Sequence, residues 1–250
     1  MNTSTFDLKD KIVLVAGASA GIGEALSEQL AERGARVIAA ARRTDKLDAM
    51  AKQFGDRIYP LALDVSDTAS TASLIERLPE PWRDIHAAVV SAGHDAGGRA
   101  MFHEGSTDAW TDIIETNVNG TIRVCRAVID LMRSRGSGHI VTLGSVSGIE
   151  TYAGGTIYSA SKFAVHAFTD SLCKDYKTEP IRVTEVLPGL TRTEFAQNRW
   201  GGDASKADSF YDAAPDTLEA GDVARTIIYA LELPEHINIR QLVVTATGNK

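Results

Sequence analysis

The chain has 250 residues, of which 44% are hydrophobic and 24% charged, and its net charge is −7. That length suits one large buried core better than two small ones, so a single domain over 1–250 is expected. The acidic balance gives no general attraction for nucleic acid or an anionic membrane surface. The opening MNTSTFDLKD lacks the apolar stretch of a secretory signal, and no apolar run is long enough to span a bilayer, so the cytoplasm is the expected compartment. The two cysteines, Cys125 and Cys173, lie far apart without CxxC spacing, so neither a disulfide framework nor a zinc site is expected; no other clustered ligands suggest a metal.

In chain order, KIVLV (11–15) reads as a buried strand that runs into a glycine-rich turn. A helix follows over 23–33 and closes at Gly34. RVIAA (36–40) is a second strand, 44–54 a second helix, and 57–63 a third strand ending at Asp64. Helical spacing resumes over 68–78, and 86–90 is the fourth strand. A long helix covers 108–135, GHIVTL (138–143) is the fifth strand, and another long helix covers 158–176. IRVTEVL (181–187) is the sixth strand; a helix over 222–231 and a strand over 241–245 complete the series. Strands alternating with helices predict an α/β, doubly wound parallel sheet with helices on both faces. The segment 193–217 breaks the pattern: it is rich in Gly, Asp, Ala and Ser, with Phe195, Trp200, Phe210 and Tyr211 scattered through it, and is a candidate substrate lid or a plain surface excursion.

Ala16–Gly23 reads AGASAGIG, between a strand and a helix, the context that a dinucleotide turn needs. Gly17, Gly21 and Gly23 let the backbone approach a pyrophosphate, and the helix N-terminus presents N–H groups to it; a tight structural turn is the alternative. At the end of the second strand, where a carboxylate would bond a ribose 2′-hydroxyl, stands Ala41, followed by Arg42 and Arg43. Two guanidiniums there suit a 2′-phosphate, so NADP(H) is expected over NAD(H). Asp64, followed by Val65, is placed to accept from an adenine amino group.

Tyr158 and Lys162, in YSASK, lie one helical turn apart. A nearby ammonium is expected to lower the phenol's pKa toward a useful acid/base range. Ser145, in GSVSG after the fifth strand, is placed to hold a substrate oxygen. Asn117, in TNVNG, is a polar residue amid apolar spacing, suited to hold a water linking Lys162 to solvent.

The motifs AGASAGIG (16–23), DV (64–65), SAG (91–93), NVNG (117–120), GSVSG (144–148), YSASK (158–162) and LPGLTRT (187–193) resemble, in order, those of the short-chain dehydrogenase/reductase family. The resemblance implies a Rossmann-type domain with a seven-stranded parallel sheet. It also implies catalytic roles for Asn117, Ser145, Tyr158 and Lys162, and a bond from Lys162 to the nicotinamide ribose. Cofactor contacts are implied for Gly17, Ser19, Ala20, Gly21, Ile22, Gly23, Ser91, Ala92 and Gly93, and along the nicotinamide for Pro188, Gly189, Leu190, Thr191 and Thr193. A homotetramer (or homodimer) through the two long helices is implied as well. The sequence departs from the family at Ala16, usually Thr, and at Ser91, usually Asn. TYAGGTIYSASKFAV, VLPGLTRTEF and LPEHINIRQLVV resemble bacterial NADP-dependent 3-hydroxy acid (serine-type) dehydrogenases.

A small polar hydroxy compound or its carbonyl is therefore the expected substrate. Arg99 and Arg192 are candidate clamps for its carboxylate or sulfonate. His94 and His103 read as solvated loop residues. The alternatives are a reductase of apolar ketones or aldehydes, and a cofactor-binding regulator without turnover.

Overall fold

The computed structural model describes residues 6–97, 99–214 and 216–248. Six strands come first: β1 (Ile12–Ala16), β2 (Arg36–Ala41), β3 (Ile58–Ala62), β4 (Ile85–Val90), β5 (Gly138–Leu143) and β6 (Ile181–Pro188). The short strands β7 (Thr191–Arg192) and β8 (Leu218–Glu219) form a separate parallel pair, and β9 (Gln241–Val244) is the last strand. The main sheet has seven parallel strands in the order β3-β2-β1-β4-β5-β6-β9.

β1 is buried throughout because alternate side chains feed two cores. Val13 and Val15 pack with α1 (Gly21–Glu32), α2 (Thr44–Phe54) and α9 (Ala220–Leu231), through Leu26, Leu30, Leu47 and Ile227. Ile12, Leu14 and Ala16 point the other way, into a core shared with α5 (Gly120–Arg135) and α6 (Thr156–Asp175), through Val124, Val128, Met132 and Phe168. The chain runs from β1 outward to β2 and β3, then crosses to β4 on β1's other side. That reversal opens a crevice at the carboxyl ends of the strands, where ligands of such sheets bind.

Three segments differ from expectation. The helix expected over 68–78 closes after one turn, α3 (Thr68–Ala72). Thr71 Oγ1 donates to the carbonyls of Asp67 and Thr68, and Ser73 Oγ to that of Ala69, so side chains compete for the acceptors that would propagate the helix. The helix expected over 108–135 is two, α4 (Thr107–Ile114) and α5, joined by a wide π turn over Glu115–Asn119. Such turns accompany functional positions, and this one holds Asn117. The segment 193–217, expected to be irregular, contains α7 (Phe195–Arg199) and α8 (Ala204–Asp212). Asp203 starts α8 by accepting from Lys206 N at 3.0 Å, and Trp200 and Phe210 meet edge to face at 5.2 Å.

Leu14 is fully buried in the central strand. Leu14→Ala is expected to cost about 2–5 kcal/mol, read as a lower urea midpoint with an unchanged slope. A cost below about 0.5 kcal/mol, the size of an ordinary surface change, would contradict this packing.

Candidate active site

Two cavities open side by side along the carboxyl ends of the strands. One, of about 400 Å³, is lined by Gly17, Ser19, Ala20, Arg42, Asp64 and Val65, among others. The other, of about 370 Å³, is lined by Ser145, Tyr158, Lys162, Pro188 and Thr193, among others. Ser91 and Gly93 line both, so the two adjoin.

The glycine turn is built on close backbone contact. Gly17 has a φ of +95°, and a Cβ there would lie 2.6 Å from Ala92 N. A Cβ on Gly23 would lie 2.2 Å from the Gly17 carbonyl oxygen. α1 begins at Gly21 behind Ala20, which offers no capping side chain, so among the described residues its first N–H groups lack a side-chain cap. Ser91 Oγ donates to the Ala16 carbonyl at 2.9 Å, so the serine itself ties β4 to β1 across the two departures from the family pattern.

The paired arginines behave differently. Arg43 spends its fork on the chain: Nε and Nη2 donate to the Ser19 hydroxyl and carbonyl, and Nη1 pairs with Glu194 at 2.8 Å. Arg42 is exposed at the cavity and makes no hydrogen bond among the described residues. Asp64 Oδ1 accepts from the Ser66 amide at 2.9 Å and from its hydroxyl at 2.6 Å, which fixes the turn after β3. These residues fit a dinucleotide with a 2′-phosphate: uncapped amides for the pyrophosphate, a free guanidinium for the extra charge, and room along the strand ends.

Tyr158 sits in the first turn of α6, buried, with Phe195 edge-on at 5.5 Å. Ser145 Oγ accepts from Ser147 N at 3.1 Å, which aims the hydroxyl beside the phenol. Lys162 Nζ donates to the Leu143 carbonyl at 2.8 Å and lies 5.8 Å from the Tyr158 ring centre. The net shift of the phenol is upward, not downward as expected. Burial pushes Tyr158 well above its ordinary value, and the neighbouring Ser145 hydroxyl only partly offsets this. Burial likewise pulls Lys162 down to about 8, against the opposing charges of Glu185 and Asp95. Desolvation outweighs the favourable contacts of each group because both are enclosed.

The Asn117 side chain makes three hydrogen bonds among the described residues. Its Oδ1 accepts from His94 N at 2.9 Å, and its Nδ2 donates to His94 O at 3.0 Å and to Ser161 Oγ at 3.1 Å. It therefore pins the loop after β4 against α6. His94 is not solvated: its Nε2 lies 3.2 Å from Thr116 Oγ1, while its Nδ1 accepts from Ala96 N. His103 is exposed.

Of the two arginines expected near substrate, Arg99 lines the Tyr158 cavity, stacked between Tyr152 and Phe210 at 5.1 Å from each ring centre. Arg192 lies outside that lining, paired with Asp212 at 3.0 Å and resting on Tyr211. Tyr211 pins the chain beside the cavity, accepting from Thr193 N at 3.2 Å and facing the carbonyls of Thr191 and Thr193. Sequence reasoning did not single out Tyr152 or Arg199 in this lining, nor the pinning role of Tyr211, nor Asp95 behind them. The signal for Arg199 was a cation set among Phe195, Trp200 and Phe210 in a segment otherwise rich in small and acidic residues.

A family model described as short chain dehydrogenase matches residues 11–203. The chain is 38% identical over 229 residues to the NADP-dependent 3-hydroxy acid dehydrogenase YdfG of Salmonella typhi, covering 91% of this chain and 92% of that protein. It is 37% identical over 240 residues to sulfoacetaldehyde reductase 2 of Chromohalobacter salexigens, covering 94% of each. The closed form of serine dehydrogenase complexed with NADP+ superposes with a TM-score of 0.90 at 37% identity, over 93% of this chain and 94% of that one. The chain belongs to the short-chain dehydrogenase family.

Gly23→Ala places a methyl group against backbone and is expected to cost about 1–3 kcal/mol, read as a lower urea midpoint. An unchanged midpoint would contradict the close approach of residues 17 and 23.

Proposed function

We propose that the protein is a cytoplasmic, NADP(H)-dependent dehydrogenase of small hydroxy acids, moving a hydride between the nicotinamide and the hydroxyl-bearing carbon. The observation that carries this reading is a buried Tyr158 phenol beside Ser145 and Lys162, in a cavity that adjoins the one at the glycine turn. The names of its relatives support the cofactor and the class of substrate.

The nicotinamide, when bound, supplies or accepts the hydride. Gly17, Ser19, Ala20, Gly21, Ile22 and Gly23 would hold the pyrophosphate, and Arg42 the 2′-phosphate, with Arg43 bracing the turn. Asp64 and Val65 would border the adenine. Ser91, Ala92 and Gly93 would border the riboses, and Pro188, Gly189, Leu190, Thr191 and Thr193 the nicotinamide. Lys162 would bond the adjoining ribose. In reduction, Tyr158 Oη gives its proton to the substrate oxygen while Ser145 holds that oxygen; in oxidation the proton returns. Burial keeps the phenol protonated, which readies it as a donor. The Lys162 ammonium stabilises the phenolate left behind. Asn117 positions the loop that borders both cavities.

The segment 193–217 serves as the substrate lid, its Phe195 resting on Tyr158. Exposed Ile122 on α5 and Phe163 on α6 support assembly through those helices, as a homotetramer or homodimer. The aromatic wall of Tyr152, Phe195 and Phe210 favours, as a second reading, reduction of apolar ketones or aldehydes.

Tyr158→Phe is expected to lower kcat by about 10²–10⁴-fold. NADP+ binding, followed by nicotinamide-quenched protein fluorescence, should persist. Full activity in this variant would remove Tyr158 as the acid, and absence of turnover in the native protein with any acid or neutral alcohol would leave a binding role only. Arg42→Ala should weaken NADP+ by about tenfold or more and leave NAD+ unchanged, since only the former carries the phosphate; equal losses would contradict that assignment. Carbonyl reduction should hold steady through neutral pH and decline above about 8, where Lys162 loses its charge and the phenolate loses its support. A reduction rate that climbs through that range would contradict the role given to Lys162.

A further inference from the structure

We propose that Arg199, fixed by the buried Asp95, is the residue that seats the acid group of the substrate, which makes the covering segment itself the determinant of specificity for anions. The inference rests on the hydroxy-acid reading above. Arg199 is the last residue of α7, and its side chain is only 7% exposed, while that of Asp95, on the loop after β4, is 0% exposed. Nε donates to Asp95 Oδ2 at 2.7 Å, and the Arg199 carbonyl accepts from Gly97 N at 3.2 Å, so both the side chain and the backbone of α7's end are tied to that loop.

The pair is costly unless it has a purpose. A guanidinium carries five N–H donors, and removing it from water is offset only when charge and donors are both met. Asp95 meets the charge and one donor. The terminal amino groups make no hydrogen bond among the described residues, and Arg199 lines the cavity with Tyr158 and Ser145. Filling space against aromatic rings would be done better by Leu or Met. Instead Phe195, Trp200 and Phe210 stand 5.4, 5.7 and 5.4 Å from the guanidinium carbon and hold the group in place. A guanidinium anchored through Nε and held among rings presents its remaining edge as a fork, which matches a carboxylate or sulfonate.

The charges agree with this. Among the described lining residues Arg99, Lys162 and Arg199 are cations and none is a carboxylate, so with Asp95 behind Arg199 the cavity stays net positive and suits an anion. Arg99 is exposed and suits attraction at the mouth, whereas Arg199 is enclosed and suits the seat. Tyr152 Oη is buried in the same lining without a hydrogen-bond partner among the described residues, a second donor available to the anion. Because Phe195 of the same helix rests on Tyr158, an anion bound to Arg199 also fixes the wall against the phenol.

The test compares 3-hydroxybutyrate with its neutral amide, using NADP+ and the full chain. In Arg199→Gln the ratio of kcat/KM for acid over amide should fall by about 100-fold, mainly through KM for the acid, as expected for loss of a charge-assisted forked pair. Arg199→Lys should recover only part of it, because a point charge does not reproduce the fork. Arg99→Gln should give a smaller loss that fades at high salt. If Arg199→Gln does not fold, Asp95→Asn serves instead and should raise KM for the acid by about tenfold. NADP+ titration verifies the fold of each variant. An unchanged acid-over-amide ratio in Arg199→Gln, or a ratio abolished by Arg99→Gln alone, overturns the assignment. Wild-type turnover of neutral alcohols but of no acid overturns the hydroxy-acid reading, and the seat falls with it.

Discussion

The removal of Tyr158 and Lys162 from water at the carboxyl end of β5 is the constraint around which the site is arranged. Left in solvent, a phenol and an ammonium one helical turn apart would titrate near their ordinary values and exchange protons with water. Enclosed, each is driven toward its neutral form, the phenol upward and the ammonium down to about 8. The fold offsets the cost of enclosing Lys162 locally, through the Leu143 carbonyl and the more distant charges of Glu185 and Asp95. Phe195 completes the enclosure from a segment far along the chain.

The same economy of space governs the other half of the crevice. Gly17 touches the backbone at Ala92, Gly23 touches Gly17, and Gly93 faces the Asn117 amide oxygen, so β1, α1 and the loop after β4 meet without side chains between them. Asn117 closes that group by clasping both main-chain polar groups of His94. The π turn allows this, because it widens the helix at the point where Asn117 must reach across to Ser161 on α6. A floor with so little slack keeps a long ligand aligned along several strand ends at once.

Much of this was legible in the residues alone. KIVLV, RVIAA and IRVTEVL are strands because each is a short apolar run bounded by turn signals, and the alternation with helices leaves little choice of topology. Tyr158 and Lys162 lie four apart on one helix, so spacing alone brings them together, whereas Ser145, at a strand end, joins them through the packing of that helix on the sheet. Other features depend on contacts between distant positions. Arg43 and Glu194, 151 residues apart, meet only when the covering segment folds over the glycine turn, so adjacent arginines with the same apparent role divide their tasks. Arg199 and Asp95 are separated by 104 residues, and neither carries a motif. The direction of the Tyr158 shift was also hidden, because sequence shows the ammonium but not the depth of burial.

The central claim is that a buried, protonated phenol at residue 158 is the acid of the reaction. Ultraviolet difference titration of the free enzyme, with Tyr158→Phe subtracted from wild type, isolates the ionisation of this one residue. The account predicts that the Tyr158 phenolate band emerges only at a pH above that of an ordinary tyrosine, about 10. A band that emerges near neutrality would contradict it, and would mean that the Lys162 charge, not burial, sets the chemistry of the site.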